Sequence, residues 1–401
     1  MTTASEAGSG PLQGLLVVEM GQLIAGPFCG QLLGDMGAEV VKIEPPGSGD
    51  PMRAWGRGDP PVWWEVIARN KRSVSIDLRK PEGQDLARRL IAKADVLIEN
   101  FRPGTLEKWN LSPARLRAEN PRLIVARLSG YGQVGPYSER AGFGLIGEAM
   151  GGLRHIVGSP DRPPSRVGIS IGDSLCGTYA ALGILAAIEE RHKSGQGQEI
   201  DSSLYESVLQ VMESLVIDYS VHGTIKERTG AILPGIAPSN VYPCRDGDYL
   251  IGANQDSVFA RLCEAMGRPA LSRDPRFATH TARGQNQTEL DSLIADWTRQ
   301  HSVNEIDALM VEHRIPGGRS YRAPEMLADP HFRARRSIVE LAHPTLGMIA
   351  MQNVTPRLSR TPGGIRRLAP AYPGVDNEEV LGGLLHITKQ EIAALHDAKI
   401  I

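Results

Sequence analysis

Leu15–Glu44, LLVVEMGQLIAGPFCGQLLGDMGAEVVKIE, is the stretch that decides the fold expected for this chain. Residues 15–20 are a short apolar run typical of a buried strand, residues 30–36 have a helical pattern, and residues 39–44 have the pattern of a second strand. A strand, a helix and another strand in this order form a βαβ unit. We therefore expect a parallel sheet to begin here.

The same alternation continues along the chain. Further strand patterns lie at residues 73–76, 96–99 and 123–128, with helical patterns between them near residues 83–93 and 112–119. Alternating strands and helices are typical of an α/β domain with a doubly wound, mostly parallel sheet. The large domain of the chain is expected to have this fold.

The glycines of these segments do not form a nucleotide-binding motif. Gly21, Gly26 and Gly30 follow the first strand, but they do not form GxGxxG, and residues 129–136 lack the GK[ST] of a phosphate loop. A dinucleotide-binding oxidoreductase stays an alternative, supported by the βαβ unit and by Glu44 at the end of the second strand pattern.

A chain of 401 residues is long enough for two domains. A helical pattern runs from Asp201 to about Ser220, and a polar stretch with several glycines follows it up to Gly235. We predict a large domain of residues 1–200 with 330–401, a linker helix and connector at 201–235, and a smaller α+β domain at 236–329.

Composition excludes several classes of partner. The 44 basic and 46 acidic residues are interspersed and give a net charge of -2, so we expect neither nucleic acid nor an anionic membrane as partner. The apolar stretch 175–188 is shorter than a membrane span, and residues 1–14 lack the features of a signal peptide. The four cysteines and ten histidines show no metal-ligand spacing. A cytoplasmic protein with reduced thiols and no catalytic metal is expected.

Asp173 is the candidate catalytic residue. It follows the strand-like residues 167–171 and Gly172, and a long run of small apolar residues with helical spacing begins after it. At such a turn, backbone N–H groups and the positive end of the helix favour an ionised carboxylate, which can act as a nucleophile. The alternative is an ordinary N-cap, in which the side chain satisfies free N–H groups.

Several short segments occur in the order and rough spacing of a known family. They are Ala25–Pro27, Leu33–Glu44, Gly47–Asp50, Asn70–Ser73, Glu99–Gly104, Gly130–Gly132, Gly172–Asp173, Gly195–Gln198, Ile315–Gly317 and His343–Pro344. Through them the chain resembles the family III CoA-transferases from Gly14 to Ile401.

The resemblance implies that Asp173 attacks an acyl-CoA thioester, first forming a mixed anhydride and then an aspartyl-CoA thioester. Gly172 and the backbone near it would stabilise the oxyanions of these steps. Acyl-CoA is then a substrate, and no tightly bound cofactor is needed. The resemblance further implies an interlocked homodimer. Relatives carry a mobile glycine-rich loop at what is here Gly252–Gln255, but this segment has one glycine, so it is not expected to close over the site.

The resemblance also implies a set of contacts to CoA. Its members are Ala25, Asn70, Lys71, Arg72, Asn100, Phe101, Lys108 and Trp109. Taken singly, these residues have ordinary alternatives: Lys71 and Arg72 as a solvated basic pair, and Phe101 as a core residue.

The substrate is predicted from positions at which the chain differs from related enzymes and from the positions of basic side chains. Racemases of the superfamily place a histidine and an acid at what is here Gly142–Gly144, and Phe143 cannot transfer a proton, which argues against a 2-methylacyl-CoA racemase. Arg154, His155 and Arg166 could bind a distal carboxylate, although surface charge explains them equally well. The hypothesis is CoA transfer from succinyl-CoA to another short diacid. Carnitine-like or aromatic acids are competing acceptors, and a CoA-binding protein without turnover is the alternative.

Overall fold

The computed structural model describes residues 10–401, and the first nine residues, on which part of the signal-peptide expectation falls, lie outside the described residues. The described chain divides into two compact units. The first unit contains the chain up to Leu153 together with Val167–Leu215 and Ala334–Ile401, and the second contains Arg154–Arg166 and Val216–Arg333.

A parallel sheet is the centre of the first unit. Within residues 10–401 it has six strands: β1 (Leu16–Glu19), β2 (Glu39–Glu44), β3 (Lys71–Ser75), β4 (Val96–Glu99), β5 (Ile124–Ser129) and β6 (Glu199–Ser203). Their order is β3-β2-β1-β4-β5-β6, and every pair of neighbours is parallel. The strand order changes direction between β1 and β4, and in such sheets ligands bind at the carboxyl ends of the strands beside this switch point. The predicted doubly wound sheet is confirmed.

Within the described residues up to 209, nine helices connect or flank these strands. They are α1 (Ala25–Asp35), α2 (Trp63–Ile67), α3 (Pro81–Ile91), α4 (Thr105–Lys108), α5 (Pro113–Glu119), α6 (Gly144–Met150), α7 (Leu153–Ile156), α8 (Ile171–Ser194) and α9 (Leu204–Leu209). A 3-10 helix at Pro51–Ala54 lies between β2 and α2.

The second unit has its own antiparallel sheet and core. Its elements are α10 (Leu215–His222), β7 (Ser239–Cys244), β8 (Gly247–Gly252), α11 (Asp256–Ala265), α12 (His280–Gln285), α13 (Gln287–Thr298), α14 (Val303–Glu312), β9 (Gly317–Arg319), α15 (Ala323–Ala328) and α16 (Pro330–Ala334). Strands β7, β8 and β9 pair antiparallel in this order. Tyr242, Tyr249, Phe259 and Leu290 are among the side chains buried in its core.

The chain then returns to the first unit. It forms the antiparallel pair β10 (Ile338–His343) and β11 (Gly347–Gln352), followed by α17 (Asn377–Leu385) and α18 (Lys389–Asp397).

Both faces of the parallel sheet are covered by apolar side chains. Alternate strand residues point to opposite faces, so that Val18 and Leu97 belong to one core cluster, with α3 and α17, while Val17 and Ile98 belong to another, with α1 and α8. Burial on both faces explains why the first strands are nearly continuous apolar runs and could be recognised in the sequence.

Helix α8 is longer than the sequence predicted. It has 24 residues and is long and apolar enough to cross a membrane, so the expectation of a stretch too short for this is wrong. Cys176, Ala180 and Ile184 on one face of α8 are fully buried in the core against the sheet. Packing of this face accounts for part of the apolar composition of the helix, whereas Leu182 and Leu185 are exposed.

Two predicted elements are wrong. Residues 167–170 form a loop instead of a strand; Gly168 has a φ of 95°, which interrupts an extended backbone. The helix predicted from Asp201 is in fact the strand β6, followed by the separate helices α9 and α10. Ser203 caps α9, because its hydroxyl accepts the N–H of Glu206 at 3.3 Å, and the helix therefore cannot begin earlier.

We predict that Gly83→Ala destabilises the first unit and that Gly383→Ala does not. A Cβ at Gly83, in α3, would lie 2.1 Å from the backbone oxygen of Asp77, which cannot move without shifting the chain, so the free energy of unfolding should fall by about 1–3 kcal/mol. A Cβ at Gly383, in α17, meets no described atom within 4 Å and should raise it by up to about 1 kcal/mol. Thermal and urea unfolding measure both effects, and equal midpoints for the two variants would contradict the packing described.

Candidate active site

A cavity of about 180 Å³ lies at the carboxyl ends of β1, β4 and β5, next to the switch point of the sheet. Its lining residues all belong to the first unit: Gln22, Leu23, Ile24, Ala25, Asn100, Phe101, Leu128, Ser129, Gly130, Gly142, Phe143, Asp173 and Leu204. A larger cavity of about 340 Å³ near α3 and α18 is lined by Arg89, His386 and Glu391 among others, and it shares no described residue with the first.

Asp173 lies in the first turn of α8, and Ser170 is the N-cap residue of that helix. Asp173 therefore occupies neither the strand-to-helix turn nor the N-cap position that the sequence suggested. The first turn of a helix presents free N–H groups and the positive end of the helix dipole, so a carboxylate is favoured there in its ionised form. The ionised carboxylate is the form that acts as a nucleophile.

Two glycines allow the Asp173 carboxylate to sit where it does. A Cβ at Gly144, the first residue of α6, would lie 2.0 Å from Oδ2 of Asp173, and a Cβ at Gly172 would lie 3.0 Å from the backbone oxygen of Gly144. The starts of α6 and α8 are thus in close contact because neither glycine has a side chain. The absence of a side chain at Gly172 permits this close approach of the two backbones.

Phe143 precedes α6 and lines the same cavity as Asp173. Its side chain is 67% exposed, although it is large and apolar. The structure thus brings together Phe143 and Asp173 in the lining of one cavity, and position 143 has no proton-transferring side chain.

Asn100 and Phe101 follow β4 and also line the cavity. Asn100 accepts the backbone N–H of Gln22 at 2.7 Å and donates to the backbone oxygen of Gln22 at 2.8 Å, so it fixes the loop between β1 and α1. The Phe101 ring contacts Trp109 edge to face, with 5.0 Å between ring centroids. Lys108, at the end of α4, is exposed next to Trp109.

Lys71 and Asn70 lie in the interior, although the resemblance implied that both contact CoA. Lys71 is completely buried, with its Nζ 2.7 Å from Oε2 of Glu19. Asn70 donates to Oδ1 of Asp35 at 2.8 Å. Arg72 is partly exposed, pairs with acidic side chains of β2 and α17, and is absent from the described lining of the cavity.

Glu99, the last residue of β4, is buried beneath this site. Burial raises its pKa to about 7, although its carboxylate pairs with Arg127 at 2.9 Å and accepts the N–H of Phe101. In the folded chain this carboxyl therefore keeps a proton that the unfolded chain loses near its ordinary pKa of 4.5. Its contribution to stability thus falls as the pH rises from 4.5 to about 7.

The basic residues considered for binding the distal carboxylate of a substrate belong to the second unit. His155, in α7, is half exposed, and its Nε2 lies 3.1 Å from Oε2 of Glu227. Arg154 is its neighbour in α7, and Arg166 lies in the same segment of that unit.

The segment Gly252–Gln255 of the second unit is held in place. The buried guanidinium of Arg283 donates to the backbone oxygen of Asn254 at 2.7 Å and to Oδ1 of Asp256 at 2.6 Å. Gly252 donates its N–H to the backbone oxygen of Pro316 at 2.9 Å. These hydrogen bonds anchor the segment to Arg283 and to the backbone of Pro316.

Cys29 and Cys176 are buried and are not suited to act as nucleophiles. Burial raises the pKa of Cys176 to about 12 and raises that of Cys29 further, so both thiols are protonated at neutral pH. Within residues 10–401, no group of three His, Cys, Asp or Glu side chains is placed to hold a metal ion.

Gln22 and Leu23, in the loop between β1 and α1, form part of a wall of the site and were not predicted from the sequence. Gln22, Leu23 and Ile24 line the cavity, and Leu23 has a φ of 62°, in the left-handed region. The available signal was the position of this loop directly after the first strand of the sheet, where ligands of doubly wound proteins bind.

The fold, the switch-point cavity and the carboxylate in it define a class of enzyme. The chain belongs to CoA-transferase family III, whose profile matches residues 12–377. The resemblance noted in the sequence is thereby confirmed, and the protein is a CoA-transferase.

Particular relatives are similar over nearly the full length. The chain is 56% identical over 395 residues to the succinyl-CoA–D-citramalate CoA-transferase of Chloroflexus aurantiacus, with 98% of each chain covered. It is 39% identical to the alpha subunit of the succinyl-CoA–L-malate CoA-transferase of the same organism, covering 98% of this chain and 92% of that one. A crystal structure of a CaiB/BaiF family protein from Brucella suis matches with a TM-score of 0.83 at 33% identity, covering 94% of this chain and 100% of the other.

We predict that Gly144→Ala lowers the rate of CoA transfer by about 100-fold with little loss of stability. The new methyl group would displace the Asp173 carboxylate, which is the end of a flexible side chain and can rotate away without unfolding the helix. Steady-state rates and melting temperatures test this, with Gly383→Ala as the matched control. An unchanged rate in Gly144→Ala would show that the carboxylate position seen here is not the reactive one.

Proposed function

We propose that this enzyme transfers CoA from succinyl-CoA to a short dicarboxylic acid, with a hydroxy acid such as citramalate or malate as acceptor. The observation that carries the proposal is the Asp173 carboxylate in the first turn of α8, facing a small cavity at the switch point of the sheet. The names of the relatives from Chloroflexus aurantiacus support the substrate class, because both describe succinyl-CoA as donor and a hydroxy dicarboxylate as acceptor.

In the proposed reaction Asp173 is regenerated after two exchanges. Its carboxylate attacks the succinyl thioester carbonyl, forming a mixed anhydride as the CoA thiolate leaves. The thiolate attacks the aspartyl carbonyl of this anhydride, releasing succinate and leaving an aspartyl-CoA thioester. The acceptor carboxylate attacks that thioester, and the released thiolate then takes the acceptor's acyl group from the second anhydride. These steps need no metal and no redox cofactor.

The residues lining the cavity suggest how the thioester end of acyl-CoA is held. Ala25, Asn100 and Phe101 are in the lining together with Asp173. Trp109 and the exposed Lys108 lie behind Phe101, and we propose that they meet the more distant, charged part of CoA. Lys71 and Asn70 act indirectly in this proposal, because both side chains are buried.

Phe143 supports a transferase over the 2-methylacyl-CoA racemase. A racemase needs two acid-base groups at the α-carbon, and a phenyl ring supplies none. An exposed ring at the edge of the cavity instead makes the surroundings of Asp173 more apolar. A dry environment protects an anhydride from hydrolysis.

Arg154, His155 and Arg166 stay the candidates for binding the free carboxylate of the donor or acceptor. A guanidinium can bind a carboxylate through two parallel hydrogen bonds, and this would select dicarboxylates over uncharged acids. Arg154 and His155 are neighbours in α7, so one short helix carries two of the three candidates.

We also propose a homodimer with interlocked chains. Large apolar side chains of α10 are exposed to an extent unusual for a monomer: Val216, Ile217, Tyr219 and Val221 are each at least 60% exposed. We predict that sedimentation equilibrium gives twice the chain mass of 43.4 kDa. Replacement of Ile217 and Val221 by aspartate should shift the mass toward that of one chain, and a wild-type mass of one chain would refute the proposal.

The covalent step is tested by trapping. After incubation with succinyl-CoA and hydroxylamine, we expect intact-mass spectrometry to show a hydroxamate on the wild type and none on Asp173→Ala, because hydroxylamine intercepts an activated aspartyl group. Asp85→Ala removes an exposed aspartate of α3 and is the control, which should be modified like the wild type.

Two outcomes would contradict the assignment. A hydroxamate on Asp173→Ala would place the nucleophile elsewhere. No modification of any variant across a panel of acyl-CoA donors, with CoA affinity unchanged in Asp173→Asn, would indicate a CoA-binding protein without turnover. Steady-state rates with citramalate, malate, carnitine and benzoate then identify the class of acceptor.

A further inference from the structure

Four buried charged side chains lie together on and beside strands β1, β2 and β3 of the parallel sheet. This four-charge cluster consists of Glu19, Lys42, Asp50 and Lys71, each at most 1% exposed. Nζ of Lys42 lies 2.9 Å from Oε1 of Glu19 and 2.8 Å from Oδ2 of Asp50, and Nζ of Lys71 lies 2.7 Å from Oε2 of Glu19. Two positive and two negative charges are thus removed from water together.

Three members of the cluster also bind the backbone of residues 21–27, the loop after β1 together with the first turn of α1, which we call the site loop. Lys42 donates to the backbone oxygen of Gly21 at 2.6 Å, and Lys71 donates to that of Pro27 at 2.6 Å. Between these two points, Oδ1 of Asp50 accepts the N–H of Leu23 at 3.0 Å. The cluster therefore binds Gly21, Leu23 and Pro27, at the beginning, middle and end of the site loop, which contributes one wall of the cavity.

The middle contact coincides with a strained backbone. Leu23 has a φ of 62°, a conformation in which its Cβ is crowded and which a leucine rarely adopts. Such a conformation persists only where surrounding contacts impose it. Here Asp50 binds the N–H of Leu23, and Asn100 binds both backbone polar groups of Gln22.

Stability alone does not explain this arrangement. A buried ion pair can often be replaced by apolar side chains without loss of stability, since desolvation of the charges offsets their attraction. A geometric role is the better explanation, because a carboxylate has two oxygens that can serve two different partners. In Asp50, one oxygen meets Lys42 and the other meets Leu23.

We propose that Asp50 is a positioning residue for CoA transfer: through Lys42 and the N–H of Leu23 it fixes the site loop, and with it the wall against which the acyl thioester lies when Asp173 attacks. The proposal rests on the CoA-transfer function proposed above. Burial alone would raise the pKa of Asp50, but Lys42 and the N–H groups of Met52 and Leu23 hold it below its ordinary range, so the carboxylate is charged at neutral pH.

The test is Asp50→Asn, matched to Asp376→Asn. Asp50→Asn replaces one carboxylate oxygen by an NH2 group, which can only donate, and since Lys42 and the N–H of Leu23 lie at different oxygens, one of them loses its acceptor. Asp376 is likewise buried and binds one cation, Arg367, and one backbone N–H, that of Ser73, whereas Asp50 accepts a second N–H, that of Met52. The described contacts of Asp376 include none with the site loop. The two substitutions therefore remove similar chemistry at two places.

Both variants should melt at lower temperature than the wild type, but only Asp50→Asn should lose kcat, by about 10- to 100-fold, since small displacements at a reacting centre have effects of this size. The KM for the acceptor acid should change much less. Hydrogen–deuterium exchange of the peptide covering residues 21–28 should become faster in Asp50→Asn and stay unchanged in Asp376→Asn. If Asp50→Asn does not fold, Asp50→Glu keeps the charge, displaces the carboxylate, and should lower kcat to a smaller extent.

Equal kcat values and equal exchange of residues 21–28 in the Asp50 and Asp376 variants would overturn the proposal and leave Asp50 a structural residue. A wild type that transfers CoA from no donor would instead refute the proposed function. The exchange measurement does not depend on turnover, so it still decides whether Asp50 holds the site loop.

Discussion

The desolvation of two lysines is the constraint on which the active site depends. Lys42 and Lys71 are on adjacent strands of a sheet covered on both faces, and their ammonium groups have no access to water. A buried charge must be paired, and the partners here are Glu19 and Asp50. Backbone oxygens of the loop after β1 complete the coordination of both lysines, so the same contacts that make burial possible also shape the wall of the cavity.

The strands that could be predicted from the sequence are those that are buried on both faces of the sheet. Strands β1, β2, β4 and β5 lie inside the sheet and read as apolar runs. Strand β6, of sequence EIDSS, lies at the edge and has exposed polar residues, so it has no such signature and was taken for part of a helix. The strand predicted before Asp173 shows the opposite error, because its alternating apolar residues belong to a loop.

Some of the residues singled out from the sequence line the candidate site, and others lie elsewhere. Asp173, Asn100, Phe101 and Phe143 were singled out from the sequence, and all of them line one cavity. The resemblance implied that Lys71 contacts CoA, and the alternative was a solvated basic pair, because charged residues are usually exposed. Its burial depends on Glu19, more than fifty positions away, and pairing of that kind has no local sequence pattern.

The absence of side chains at two glycines shapes this site as much as the side chains that line it. Gly144 and Gly172 let the first turns of two helices touch, and the space where a Cβ of Gly144 would stand is occupied by the Asp173 carboxylate. The carboxylate thus lies in the space that Gly144 leaves open at a helix start, while buried charges bind the loop that forms another wall of the cavity. In the proposed reaction, a wall fixed in this way would need little reorganisation when charge moves between aspartate, thioester and thiolate. Phe143 adds an apolar surface beside Asp173, and in the same proposed reaction such a surface would protect an anhydride from water.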